Sequence, residues 1–206
     1  MTEVFLYKIH DVSDGEFSRL LNLVSPYRRE KVLRLKVKDK QLQSLFAKLL
    51  LRAVLCDSLG VSNSELSFAT TEKGKPYLEN RPDCHFSISH TDGLVAVALS
   101  ENSVGVDVER VKPIDPKLCE RFFSQSEQDY VFMKETEVDQ RFFEVWTKKE
   151  AFAKYTGLGL SEIFGQKETL YKTFTVENYA VAVCCDGDLT VIPNNETDSI
   201  LGRFIV

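Results

Sequence analysis

The spacing of apolar positions changes several times along the chain. In "KDKQLQSLFAKLLLRAVLCDSLG" (38–60), Leu42, Leu45, Phe46, Leu49, Ala53 and Val54 recur at helical intervals and Gly60 supplies a stop. This pattern predicts a long helix with one buried face. Just before it, "SPYRREKVLRL" offers Ser25 as an N-cap and Pro26 at the first helical position. The period then shortens: "LSFAT", "HFSISH", "GLVAVALS" and "SVGVDVE" read as strands, separated by turn residues in "TEKGKP" and "ENRPD". Ser124 and Glu127 form a capping-box pair that opens a helix in "SQSEQDYVFM", and a longer helix over "DQRFFEVWTKKEAFAKY" ends at Gly157. The tail returns to expected strands in "TLYKTFTV", "NYAVAVCC", "LTVIP" and "GRFIV". "LVAVALS" (94–100) and "YAVAVCC" (179–185) echo each other, each following a long helix. They suggest an α+β fold of two similar lobes, 1–102 and 103–206. Any doubly buried strand is rich in Val and Ala, so the echo alone leaves coincidence open.

The heptad "VGVDVER" (104–110) combines both patterns. In a strand, Val104, Val106 and Val108 share one face, while Gly105, Asp107 and Glu109 share the other. The two acids then stand roughly 6–7 Å apart and repel unless water, a base or a metal ion lies between them. A plain amphipathic strand with one wet face produces the same alternation.

Composition narrows the classes. With 206 residues, 43% of them hydrophobic, the chain can bury a real core. The N-terminus lacks a basic segment followed by a sustained apolar run, and no stretch approaches the ~20 apolar residues of a membrane helix, so the expectation is a cytoplasmic protein with no membrane association. Five scattered cysteines without a C-x-x-C spacing suggest neither a disulfide framework nor a zinc site. The net charge is −5, yet Arg28, Arg29, Lys31, Arg34, Lys36, Lys38 and Lys40 fall within thirteen residues. That asymmetry argues against general nucleic-acid binding and allows a compact anionic ligand, an acidic partner or simply a solvated helix face.

In "EVWTKKEAFAKY", Trp146, Glu150 and Lys154 lie at i, i+4 and i+8, close to one stripe of a helix. Alone this is an ordinary surface pair beside a core tryptophan. Together with "GVDVE" it gives three carboxylates and a lysine, a set that suits a hard cation and a phosphate. In "FSISHTDG", Ser89 and His90 end a strand. Their side chains point apart and no nucleophile elbow surrounds them, so ligand contacts fit better than a catalytic dyad.

Taken in order, "TEKGKPYL", "HFSISHTDG", "VGVDVER" and "VWTKKEAFAKYTGLGL" resemble the signature blocks of the Sfp-type 4′-phosphopantetheinyl transferase family, and "LVSPYRREKVLRL" resembles its N-terminal basic block. The resemblance covers about residues 20–165. It implies a pseudo-twofold pair of α+β lobes with coenzyme A between them, and a magnesium-dependent transfer of the phosphopantetheine arm to a serine of an acyl or peptidyl carrier protein, releasing adenosine 3′,5′-bisphosphate. On this likeness Asp107, Glu109 and Glu150 match the magnesium-binding acids. Glu150 also matches the proton acceptor, and Lys154 the lysine beside the reacting phosphate. Lys75, Ser89 and His90 match coenzyme-contacting positions, as does Ser44. Arg28 and Lys31 fall on the block that meets the 3′-phosphate end. Where the family often has arginine before its small hydroxyl residue, this chain has Gln43-Ser44, which leaves the 3′-phosphate grip weaker or supplied by Lys40. The segment Arg110–Gln125 mixes cations and apolar residues as a docking face for an acidic carrier would. Two lobes in one chain make a monomer sufficient.

Overall fold

The computed structural model describes residues 1–163 and 171–206. The apolar run at the start of the chain forms β1 (Thr2–Lys8), followed by α1 (Asp14–Leu21), whose N-cap Ser13 accepts from the Glu16 amide. Ser25 caps α2 (Pro26–Leu33) by accepting from the Arg28 amide at 3.4 Å, and Pro26 stands at its entry. α3 (Lys38–Leu59) ends at Gly60, whose φ of 64° is the left-handed conformation that such a stop requires. A short hairpin, β2 (Phe68–Thr70) and β3 (Pro76–Leu78), precedes β4 (His85–Thr91), β5 (Leu94–Ser100) and β6 (Val104–Arg110). Then come α4 (Lys117–Phe122), α5 (Gln125–Phe132), opened by the Ser124–Glu127 capping box, and α6 (Val138–Thr156), stopped by Gly157 at φ 74°. The one-turn α7 (Leu160–Ile163), β7 (Tyr171–Val176), β8 (Tyr179–Cys185), β9 (Leu189–Val191) and α8 (Asn194–Ile205) complete the chain.

Two sheets stack face to face between two helices. In the first, β4, β5 and β1 are antiparallel and β9 joins the free edge of β1 in parallel. In the second, β8 lies between β6 and β7, all antiparallel. Phe5, Tyr7, Val95, Val97 and Leu99 face α3. Their neighbours Val4, Leu6, Leu94, Ala96 and Ala98 face Val104, Val106, Val108, Val181 and Val183 of the second sheet. Ala182 and Cys184 on the far side of β8 meet Ala151, Phe152 and Ala153 of α6. The order α3, sheet, sheet, α6 explains the echo: β5 and β8 are each an inner strand of a sheet covered on both faces, and all seven residues of each are buried.

The tail crosses back to the first sheet. β9 pairs with β1, and α8 packs Ile200 and Leu201 into the core that α3 covers. Residues 189–205 thus lie on the C-terminal side of a division at residue 102 while packing with the N-terminal sheet. "GRFIV" is the end of α8 and not a strand: Thr197, Ile200 and Leu201 are buried at helical spacing, and the five-residue segment is too short to reveal that period. The first two residues of the expected strand 169–176 lie outside the described residues. Among the described residues no disulfide joins the cysteines. No helix among the described residues is long and apolar enough to cross a membrane.

Candidate active site

The alternation in β6 has the anticipated result. Its valines fill the space between the sheets, and Gly105, Asp107 and Glu109 face the other way. Gly105 does more than leave that face uncrowded. A Cβ there would lie 1.9 Å from the Ala151 carbonyl oxygen and 2.5 Å from the Tyr155 amide nitrogen, so the bare backbone is what lets α6 lie directly on the strand. This approach brings Lys154 to Asp107. The Lys154 Nζ donates to Asp107 Oδ1 at 2.7 Å and to the Val106 carbonyl at 3.1 Å.

β4 reaches β6 through hydroxyl groups. The Val106 amide donates to Ser87 Oγ at 3.0 Å, Ser89 Oγ donates to Asp107 Oδ1 at 2.7 Å, and Thr91 Oγ1 donates to Glu109 Oε2 at 3.0 Å. The hydroxyl of Ser89 is therefore turned to a site carboxylate and away from the open cleft, because odd-numbered residues of β4 face β6 while Phe86 and Ile88 face the first core. His90 alternates to the other side and is exposed. Partial desolvation, then the cations of Lys48, Lys154 and Lys40, hold its pKa below the usual imidazole value.

Three acids share this corner. Burial, then the charge of Asp107, pushes the Glu109 carboxyl above the ordinary glutamate value; the same two causes raise Glu150, with the Lys154 cation opposing. Asp107 is buried, and among the described residues its Oδ2 has no hydrogen-bond partner, although Oδ1 takes both Ser89 and Lys154. An orphaned carboxylate oxygen beside two carboxyls of raised proton affinity is a donor set with unmet demand for positive charge, and these residues fit a hard divalent cation. Among the described residues no three acidic, histidine or cysteine side chains are already closed into a metal-ready group. Lys154 and Ser89 take one oxygen of Asp107, and Thr91 takes one of Glu109.

A cleft runs from this corner along the first lobe. One hollow of about 430 Å³ is lined by Lys73, Lys75, Ser87, Glu150, Lys154 and Gly157 among others. A second of about 480 Å³, lined by Arg28, Lys31, Lys48, Arg52, Phe68 and Thr70, adjoins it, with Gly74 and Pro76 common to both. Arg28 and Lys31, which the family resemblance puts at the 3′-phosphate end, thus line this cleft. Lys75 lines it too, but its ammonium donates to the Tyr155 carbonyl at 2.8 Å and to Ser103 Oγ at 3.3 Å, fastening the 73–76 turn to the end of α6. Burial lowers its pKa. Ser44 is half-buried on α3.

Lys40 is not a free substitute for the missing arginine. It donates to Asp92 and to Gln43 Oε1, and buried Gln43 donates to Asp92 Oδ1 at 2.7 Å, so both are tied to the β4–β5 turn and line a different groove. Trp146 packs among Phe122 and Phe142 and serves the core. Sequence reasoning passed over Lys48, whose place in "LFAKLLL" looks like a routine interruption of a helix face.

In the expected docking segment, Phe123 is buried and Phe122, Val111 and Ile114 pack on the core beneath α5 and α6. Lys112 and Lys117 are exposed, and Leu118 is 38% exposed.

A family model described as "4′-phosphopantetheinyl transferase, N-terminal" matches residues 11–102, and one described as "4′-phosphopantetheinyl transferase superfamily" matches residues 103–186. The chain is 34% identical over 203 residues to the 4′-phosphopantetheinyl transferase Sfp of Bacillus subtilis (strain 168), covering 98% of this chain and 85% of that protein. It is 34% identical over 165 residues to the 4′-phosphopantetheinyl transferase gsp of Aneurinibacillus migulanus, covering 78% and 68%. The acids of β6, the helix that brings Glu150 and Lys154 to them and these matches along nearly the whole length agree: the chain belongs to the 4′-phosphopantetheinyl transferase superfamily.

Proposed function

We propose that this protein transfers the 4′-phosphopantetheine arm of coenzyme A to a serine hydroxyl of an acyl or peptidyl carrier protein. The observation that carries this reading is the meeting of Asp107, Glu109, Glu150 and Lys154 at the end of a cationic cleft, in a chain of this superfamily. In this reading the coenzyme lies between lobes formed by 1–102 and 103–206. Arg28, Lys31, Ser44, Lys75 and His90 contact it, and Ser89 holds Asp107 in place. Asp107, Glu109 and Glu150 would hold magnesium. The chemistry that a bound magnesium ion supplies there is neutralisation of charge on the pyrophosphate oxygens.

The carrier serine oxygen attacks the pantetheine-side phosphorus, and the bond from that phosphorus to the bridging oxygen breaks. Adenosine 3′,5′-bisphosphate leaves with the bond's electron pair. Glu150 takes the serine proton, a role suited to a carboxyl whose environment raises its proton affinity. Lys154 stabilises charge on the phosphoryl oxygens. Every residue of this site comes from one chain, so a monomer suffices. Five cysteines without a disulfide among the described residues are in keeping with a reducing, cytoplasmic setting.

The test is incubation with coenzyme A, magnesium and a panel of apo-carrier proteins, followed by mass measurement of the carriers. One phosphopantetheine arm gained is expected. Release of phosphate from nucleotides without any carrier product would make the protein a phosphohydrolase instead. For the carrier surface the reading points to Arg110–Gln125. Ile114 is half-buried, and Asp139 holds its amide, so an acidic residue there would disturb the core. Lys112→Glu and Leu118→Asp are the cleaner probes. Both should raise KM for the carrier and leave coenzyme A binding intact, with the charge reversal more sensitive to salt. Unchanged KM for both would move the docking face elsewhere.

A further inference from the structure

Lys48 projects from α3 into the hollow that Arg28, Lys31 and Arg52 also line, and among the described residues no carboxylate lines it. Arg52 is already committed: its guanidinium donates to the Asn63 carbonyl and side chain and stacks on Phe68. Lys31 lies over the exposed ring of Tyr27, with Nζ 4.6 Å from the centroid. Lys48 has no hydrogen-bond or ion-pair partner among the described residues, and it stands one helical turn beyond Ser44. Burying an unpaired ammonium among other cations destabilises a fold, so a position of this kind is built for an anion that arrives later.

We infer that Lys48 is the residue that grips the 3′-phosphate of the coenzyme, acting with Arg28 and Lys31 in place of the arginine replaced by Gln43. The inference rests on the transferase reading. Three convergent cations suit a phosphate monoester dianion at the far end of the cleft from Glu150, and Gln43 and Lys40 are turned away to Asp92. Lys48 is also the cation of this hollow most marked by its surroundings. Burial, then the charges of Arg28 and Lys31, lowers its pKa to about 8. The charged groups facing it are Arg28 and Lys31 on α2, with Tyr27 beneath Lys31, Arg52 on its own helix and His90 on β4.

Two consequences separate this role from a structural one. The lowered pKa means that the folded state disfavours the ammonium. Removing it should therefore stabilise the protein fully below about pH 8, with the gain fading as pH rises from 8 towards the unfolded value of 10.5. Lys48→Met keeps the aliphatic stem and should raise the melting temperature of the ligand-free protein at pH 7. Meanwhile, affinity of the parent for the full coenzyme should fall as pH rises above about 8, where free Lys48 loses its proton.

The experiment measures binding of coenzyme A and of dephospho-coenzyme A, which lacks the 3′-phosphate, by calorimetry between pH 6.5 and 9.5 for the parent, Lys48→Met and Lys48→Arg. Lys48→Met is expected to weaken coenzyme A roughly tenfold to a hundredfold at pH 7, the worth of a charge-assisted bond. It should change dephospho-coenzyme A less than about twofold. Lys48→Arg should keep its affinity for coenzyme A at pH 9.5. Equal losses for the two ligands, or no loss, overturn the assignment to Lys48 and leave the transferase reading standing. A parent protein that binds neither ligand overturns the reading itself.

Discussion

The two oxygens of Asp107 have opposite fates: one accepts from both Ser89 and Lys154, the other from nothing among the described residues. Repulsion between neighbouring acids alone would make its removal harmless without metal. The structure changes that expectation, because Asp107→Ala strips Lys154 and Ser89 of their partner. A loss of about 2 kcal/mol is expected, or roughly 4–8 °C in melting temperature for a chain of this length. Glu150→Gln is the opposite case. It removes a carboxyl that its surroundings disfavour as an anion, so the melting temperature in EDTA at pH 7 should hold level or rise while transfer collapses. A fall in melting temperature for Glu150→Gln, or none for Asp107→Ala, would reverse these assignments. That Asp107 and Glu109 share one strand face, and Glu150 and Lys154 one helix stripe, was legible in the chain from its period-2 and period-3.6 patterns; their candidate roles came from the family resemblance. What Ser89 and Lys75 do with their polar atoms was not legible, since that depends on which strand or helix end lies opposite.

At the scale of elements, β4 joins the second sheet through Ser87, Ser89 and Thr91, three hydroxyls two residues apart. Their spacing in "FSISHT" was visible from the outset, but a hydroxyl series says nothing of what it faces until a second strand is placed beside it. Thr91→Val keeps the shape and removes the bonds to Glu109 and to the Arg110 amide. It should leave folding intact and raise the magnesium concentration needed for half-maximal transfer roughly tenfold, with Thr91→Ser restoring it. No change in the magnesium requirement would show that Glu109 is oriented by other means. α6 depends on Gly105 in the same way that β6 depends on hydroxyls. Gly105→Ala drives a methyl into helix backbone that cannot yield, and should cost about 3 kcal/mol together with activity. The long helices and their caps were read correctly because Ser25, Gly60, Ser124 and Gly157 act locally. β3 and α8 were not, because three residues of strand and a helix with only a few buried positions give too little period to register.

Across the whole molecule, four layers bury each apolar strand on both faces, and the two sheets meet at the interface where the candidate site lies at the rim. The echo between β5 and β8 carried the α+β arrangement into view. The pairing of β9 with β1 had no sequence counterpart, since a three-residue edge strand looks the same in either sheet. Ile192, Ile200 and Leu201 are buried from this tail, each worth roughly 1.5–3 kcal/mol. Their sum is comparable to the whole stability of an ordinary domain, about 5–15 kcal/mol. Removing residues 189–206 should therefore abolish cooperative melting, although every residue assigned to coenzyme, metal or catalysis is retained. A sharp unfolding transition in the shortened chain would show the tail to be an ornament. The same return has a consequence for biosynthesis. A ribosome emits β1 well before the strand and helix that finish its sheet, which follow only after β6–β8 have been made. Until then the first lobe must wait with an open β edge, exposed to the pairing errors that such edges invite.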